Sequence, residues 1–371
     1  MVSGQKEKER KKKRKRSSQT EEPEHDKSSY CYNKKVDWRR MLLALMIVET
    51  PALAVGPCSG CAVICLGCYR ELEETSIYKC KGCQWPLCSG TCAGLGQYTG
   101  HSSYECDALK AVPPDYTKPD DLKDSYHALI CLLLKKADPA KWETISSMES
   151  HNEIRRARGD IYPMNERNVV RWFKKWGLPY DDEEIHTVCG ILEVNAFEVG
   201  GSGASARALY AAAFLLAHDC TPSTAHTDTE RAGRPLAVRA AVPHRAGDLI
   251  SLCYAYTLQG TLKRREHIKM SKFFDCCCRR CADPTELGTY ASAFCCPRCG
   301  GRVLSTAPLD AGAQWACLDN GCSYVMPAAA VQLFFINDDY RTRLQTAIFI
   351  IFTICCFTFY YYSGYLTVTR H

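Results

Sequence analysis

Cysteine and histidine are the residues of this chain whose spacing could do chemistry. Between 65 and 106 the order is Cys65, Cys68, Cys80, Cys83, Cys88, Cys92, His101 and Cys106. The whole chain holds 25 cysteines, and no secretory signal is read at its start: the apolar stretch MLLALMIV at 41–48 lies too far in and is followed by Glu49. In a reducing compartment, CxxC pairs mean metal rather than disulfides. Zinc is the first choice, because soft thiolates with an occasional imidazole suit its tetrahedral preference. Eight ligands at this spacing make two such sites. Cys58 and Cys61 rival the first pair, but they are one pair too many and are left out. Farther on, Cys296, Cys299, Cys317 and Cys322 have the spacing of a zinc ribbon, with adjacent Cys295 leaving the first position open.

A second stretch raises a different question. In LLAHDCTPSTAHTD, residues 215–228, a histidine, an aspartate and a cysteine directly follow the apolar run Ala211–Ala217. Taken alone it reads as a strand end and a Thr-Pro turn.

The elements that must position these residues show in the apolar periodicity. From 120 to 193 the pattern is helical: Leu122, Tyr126, Leu129, Ile130 and Leu133 form one stripe. Val169, Val170, Phe173 and Trp176 form a second, stopped by Gly177, and Ile185, Val188 and Leu192 a third behind the acidic start DDEE. These stripes are core faces. One strand is expected in ALMIVETPALAV, and β-favouring runs follow in ILEVNAFEV, RPLAVRAAV and DLISLCYAY. GGSG at 200–203 is a turn, lacking the strand-to-helix context of a phosphate loop.

The net charge of +6 is misleading. Residues 6–16, KEKERKKKRKR, carry +7, so the rest stands at −1. A basic folded face for specific nucleic acid binding is therefore not expected; a disordered basic arm gives only salt-sensitive, unspecific phosphate contacts. The arm suits nuclear import as well as it suits a solvated charge run. Residues 344–369 carry no charge, long enough for a membrane-crossing helix, with Arg341 and Arg343 before it favouring a cytosolic main domain.

The ligand order of the first cluster resembles the MYND zinc finger. In that family the pairs interleave, which implies one zinc on Cys65, Cys68, Cys88 and Cys92 and another on Cys80, Cys83, His101 and Cys106. MYND fingers bind proline-rich segments of partner proteins, so such partners are implied. Downstream, VNAFEV, AHDCTPS, GDLISLCY, GTLKRREHI and FFDCCCRRC follow the order of a SET domain of the protein-lysine methyltransferases. A finger ahead of a SET core is the arrangement of the SMYD family. The segments MESHNEIRR and ADPTELGTY look most like its arthropod-type branch, over about 48–327.

The resemblance implies an α+β fold: a mostly β SET core with a knot-like crossing, a helical insert, the interleaved two-zinc finger and cysteine-rich post-SET zinc modules. Its boundaries would be a basic tail at 1–35, a remnant of the N-terminal SET segment at 36–57, the finger at 58–110, the helical insert at 111–193, the core SET at 194–260, the post-SET zinc region at 261–327 and the apolar tail at 328–371, a candidate membrane segment over 344–366. Cys220 would join Cys276, Cys278 and Cys281 on a zinc, with Cys277 unliganded, making up to four zinc ions in all. Tyr254 falls on the catalytic tyrosine, Tyr256 on the lysine channel, Asn195 and His218 on positions that hold S-adenosylmethionine, and Phe274 on the aromatic that packs on adenine.

Three departures count against turnover. Ala217 and Ser223 stand where the family has asparagines. No glycine occurs between Gly4 and Gly56, where the family carries a glycine-rich stretch that embraces the cofactor. The helical C-terminal domain of the family is not expected in the residues that follow 327, which would leave the substrate cleft open on one side. The reading is thus a candidate S-adenosylmethionine-dependent protein-lysine methyltransferase with an impaired cofactor site; its alternative is an inactive adaptor for proline-rich partners in transcriptional repression. It is expected in nucleus and cytoplasm, or held at a membrane by the tail.

Overall fold

A computed structural model of the chain describes residues 47–57, 63–73, 75, 77–96, 100–111, 119–199, 206–228 and 234–332. The expectations for the tail at 1–35, for Cys58 and Cys61, for GGSG and for the segment at 344–366 lie outside these residues. The architecture is a mixture of α and β, with several small sheets and a helical segment between them.

Pro51 divides the expected single strand in two, because it has no N–H for a ladder. The pieces are β1 (Ile47–Thr50) and β2 (Ala52–Pro57). All of β2 is buried. Leu53 and Ala54 face a core shared with the helices, whereas Ala52 and Val55 face the core of the sheets; a register shift between Ala52 and Ala54 lies in the same stretch. Next come the two-residue strands β3 (Tyr78–Lys79) and β4 (Pro86–Leu87), then helix α1 (Ser103–Leu109).

Helix α2 (Pro119–Ala137) opens with a proline, tolerated in a first turn where its missing N–H costs nothing. The sequence predicts one apolar stripe here. From Ser125 to Leu132 every residue is in fact buried, because α2 runs between the cysteine-rich module on one side and β2 on the other. Gly56 of β2 permits this approach: a Cβ there would sit 2.4 Å from His127 Cγ. The first glycine after the glycine-free stretch thus serves helix packing.

Short helices and a π-turn at Glu166–Val170 lead to α3 (Asp182–Asn195). Asp181 caps it by accepting from the Glu184 N–H at 2.8 Å, and Asp182, Glu183 and Glu184 complement the positive end of the helix dipole. Ile185, Val188, Ile191 and Leu192 are buried. This face carries the helix through Asn195, so ILEVNAFEV is half helix, and only Phe197–Val199 forms a strand, β5.

Strands β6 (Ala206–Tyr210), β7 (Ala217–His218), β8 (Thr224–Asp228), β9 (Leu236–Ala240) and β10 (Ser251–Leu252) follow. The sheets are β2-β6-β5 and β1-β9-β8, both antiparallel, with β7 and β10 paired in parallel. After them come α4 (Thr261–Lys272), a short turn of helix at Arg279–Ala282, and an antiparallel meander β11 (Phe294–Cys295), β12 (Arg302–Ser305), β13 (Trp315–Cys317) and β14 (Val325–Met326). Among the described residues no helix is long and apolar enough to cross a membrane.

Candidate metal centres and the segment beside Tyr254

Among the described residues four groups of sulfur and imidazole donors assemble: Cys65, Cys68, Cys88 and Cys92; Cys80, Cys83, His101 and Cys106; Cys220, Cys276, Cys278 and Cys281; and Cys296, Cys299, Cys317 and Cys322. Within each, the ligand atoms all lie within 4.8 Å of one another. The first two interleave along the chain. Cys65 Sγ is 3.7 Å from Cys92 Sγ and Cys68 Sγ 3.9 Å from Cys88 Sγ, while Cys80 Sγ is 3.8 Å from Cys106 Sγ and Cys83 Sγ 3.4 Å from His101 Nε2. Cys277 and Cys295, beside ligand positions, are exposed and outside the groups.

Local backbone chemistry builds these knuckles. After three of the four CxxC pairs in these groups the next residue is left-handed: Tyr69 at φ 60°, Gln84 at φ 67° and Gly300 at φ 79°. Inside the first two pairs sits a glycine that no side chain could replace. A Cβ at Gly67 would lie 2.7 Å from Cys92 Sγ, and one at Gly82 2.5 Å from Cys106 Sγ.

The donor set calls for a cation. Burial opposes ionisation of Cys80, but the N–H groups of Cys83 and Gly82, together with His101, outweigh it and bring this thiol down to about 6. Burial pushes neighbouring Cys83 up to about 12. In the third group Cys220, Cys276 and Cys281 drive Cys278 down, and the crowding drives Cys276 up. Sulfurs this close cannot all be thiolates by themselves, since like charges raise one another. A divalent ion removes the conflict, and tetrahedral sets of four sulfurs or three sulfurs and one imidazole fit zinc.

The segment AHDCTPS runs beside Leu249–Leu252. Here β7 pairs with β10, Ala217 opposite Ser251 and His218 opposite Leu252, and the Asp219 N–H donates to the Leu252 carbonyl at 2.9 Å. The apolar run before it holds a 3-10 turn at Ala213–Leu215 and enters the short strand β7 at Ala217, where the expected strand end lies. Ser223 and Ser251 bond to one another, and Thr224 Oγ1 donates to the Ser251 carbonyl at 2.8 Å.

His218 faces two ways. Its Nδ1 accepts from the Tyr254 N–H at 2.9 Å, so the ring proton is on Nε2, which lies 3.2 Å from Cys220 Sγ. Burial holds this imidazole down at about 4, which keeps it neutral. The His218 ring also meets Tyr254 at 5.1 Å and Phe274 at 5.9 Å between centroids. These three sequence-predicted residues therefore come together against the Cys220 group. The side chain of His218 is turned toward that sulfur.

Two others do not join them by contact. Asn195, at the end of α3, donates its amide to the carbonyls of Glu149 at 2.8 Å and Ile191 at 2.9 Å. Tyr256 is 61% exposed, its ring 5.6 Å from His267 of α4. The Tyr254 hydroxyl donates to the Leu216 carbonyl, and burial pushes it up to about 12.

Several supporting residues carry no motif. Arg234 Nη2 donates to the carbonyls of Cys68 and Tyr69, and Tyr210 Oη donates to the Arg234 carbonyl, which ties the first metal group to β6. Fully buried Arg264 donates to Glu286 Oε2 at 2.8 Å and lies 3.7 Å from Cys281 Sγ. Only an arginine placed four residues into α4 hints at it.

No family model matches the chain. Over 295 residues it is 39% identical to the SET domain-containing protein SmydA-8, isoform B, of Drosophila melanogaster, an alignment that covers 75% of this chain and 61% of that protein. With isoform A the identity is 28% over 295 residues, covering 76% and 61%. The chain spans about three fifths of the length of the curated relatives it matches.

Proposed function

We propose, for a chain that is a relative of the arthropod-type SMYD proteins, that it is a zinc-stapled SET and MYND protein of the protein-lysine methyltransferase class with an impaired cofactor site. The observation that carries the impairment is the use of Asn195: its amide, expected at the cofactor, is spent on two backbone carbonyls. Ala217 and Ser223 in place of asparagines point the same way.

S-adenosylmethionine, when bound, supplies an electrophilic methyl group to a neutral lysine amine. The chain's part is alignment and exclusion of water rather than proton abstraction. Tyr254 donates its O–H to the Leu216 carbonyl, so its oxygen keeps lone pairs that can orient an amine N–H. Held protonated up to about 12, it is no base at neutral pH. His218 is neutral and committed to the Tyr254 N–H and the Cys220 sulfur, so it positions β7 against the metal group. Phe274 closes the far side of the ring cluster.

A second reading, an inactive adaptor that recruits proline-rich partners in transcriptional repression, keeps the same zinc architecture and needs none of these contacts. The finger would span 58–110 and the core 194–260 in either case, with nuclear and cytoplasmic residence served by the basic tail, or membrane residence by 344–366. Calorimetric titration of the zinc-loaded protein with S-adenosylmethionine tests the proposal. Binding weaker than millimolar is expected; sub-millimolar binding abolished by Asn195→Ala overturns the impairment. Saturating cofactor with no heat, alongside binding of a proline-rich peptide, favours the adaptor.

A further inference from the structure

We infer that Glu105 is the positioning residue that fixes His101 as a metal ligand, and that through Tyr126 it ties metal in the second group to the docking of helix α2. The inference rests on the reading of that group as a zinc site.

His101 turns Nε2 toward Cys83. For Nε2 to offer a lone pair to a metal, the ring proton must be on Nδ1. That Nδ1 is buried and has no hydrogen-bond partner. What it faces is Glu105 Oε2 at 3.6 Å, beyond a hydrogen bond but within reach of ionic attraction. Ligating histidines are held in tautomer and direction by such an outer carboxylate, and its loss costs about 10–100-fold in metal affinity.

Glu105 is not placed by accident of a surface helix. An acidic residue in a first turn is ordinarily solvated and serves the dipole; this one is 4% exposed. Ser102 caps its backbone N–H at 3.2 Å, which sets the first turn of α1 so that Glu105 lies four residues after His101 and directly before the ligand Cys106. Burying a carboxylate costs several kcal/mol, on the order of the desolvation of any unpaired ion, unless donors meet it. The donor supplied by protein is Tyr126 Oη of α2, 3.3 Å from the same Oε2. Its ring stacks at 5.5 Å on Trp85, two residues beyond the ligand Cys83. Tyr126 therefore touches the group from both sides: through Glu105 to His101, and through Trp85 to Cys83. A metal on His101 keeps Nδ1–H aimed at Glu105, and Glu105 keeps Tyr126 and α2 in place.

The test uses the full chain, loaded with Co²⁺ in place of zinc. Glu105→Gln keeps the shape and removes the charge; Tyr126→Phe keeps the ring and removes the donor; Asp107→Asn alters only the exposed pair with Lys110 and serves as control. Chelator competition is expected to show one ion of Glu105→Gln bound about 10–100-fold more weakly, with the sulfur-only cobalt bands of the other groups unchanged as proof of fold. Hydrogen exchange at residues 125–134 should quicken in that variant. In wild type the exchange should respond to metal removal, and in Tyr126→Phe that response should shrink while the cobalt spectrum stays. Wild-type protein that takes up no metal overturns the zinc reading and the inference together. Wild-type protein that fills while Glu105→Gln matches its affinity overturns the inference alone.

Discussion

Ser223 and Ser251 hold each other by two reciprocal bonds: the Ser223 N–H donates to Ser251 Oγ at 3.0 Å and the Ser251 N–H to Ser223 Oγ at 3.0 Å. The pair fastens the end of AHDCTPS to the strand that leads to Tyr254, at one of the positions where the family resemblance implies an asparagine. On that reading a hydroxyl takes over the fastening role of an amide, although it could not replace it as a ligand for a cofactor. Each alanine substitution should cost about 1–3 kcal/mol, since it orphans a part-buried N–H. The double variant should cost less than the sum, and denaturant unfolding of the four proteins in the cycle measures the difference. Simple additivity would mean the two bonds act separately.

Knuckle glycines report which cysteines share an ion. Gly67→Ala drives a Cβ toward Cys92 Sγ, and Gly82→Ala drives one toward Cys106 Sγ. Each is expected to remove one ion of the four by elemental analysis, and cobalt bands should show that Gly82→Ala removes the histidine-containing centre. Loss of the same centre in both would contradict the interleaved grouping.

Buried Arg264 and Glu286 form the ion pair under the third group. Ser292, Arg264 and the Thr261 N–H together outweigh burial and hold the Glu286 carboxyl below its ordinary 4.5. Its contribution is thus complete above that value and lost as pH falls through the lowered one. Glu286→Gln should destabilise by about 3–5 kcal/mol at neutral pH, because it strands a buried guanidinium. The gap between variant and wild type should narrow below pH 4.5 in thermal melts; a gap that stays constant with pH would show that the charge is not what matters.

His127 has the opposite sense. Both its nitrogens are buried without partners, and burial, with Arg207 adding to it, depresses it well below 6.5. The unfolded chain takes up a proton there that the folded chain refuses, so stability present above pH 6.5 is lost as pH drops below it. His127→Leu should remove that part of the acid sensitivity, read as a flatter plot of unfolding free energy against pH. An unchanged slope would place the sensitivity elsewhere.

How much was legible beforehand depended on how local the cause is. CxxC spacing, the Asp181 cap and the stripe Ile185, Val188, Leu192 are short-range patterns, so the sixteen cysteine and histidine positions that gather in four groups, and α3, could be read from the chain. The reading of ILEVNAFEV as a strand failed because burial of Ile191 and Leu192 against the helical core outweighs β propensity. Order along the chain put Asn195 with His218 and Tyr254; contact separated it from them, since an amide bonds whatever carbonyl folding brings near.

By itself, then, the sequence determined which cysteines and histidines are spaced to share a metal, because residue type and spacing are written in consecutive residues and left-handed knuckle positions need no distant partner. Only the tertiary structure decided what the polar side chains around those centres do. Glu105 meets Tyr126 across 21 residues, His218 meets Tyr254 across 36, and Arg234 meets Cys68 across 166. Hydrogen bonds of this kind have no signature until the chain closes the distance.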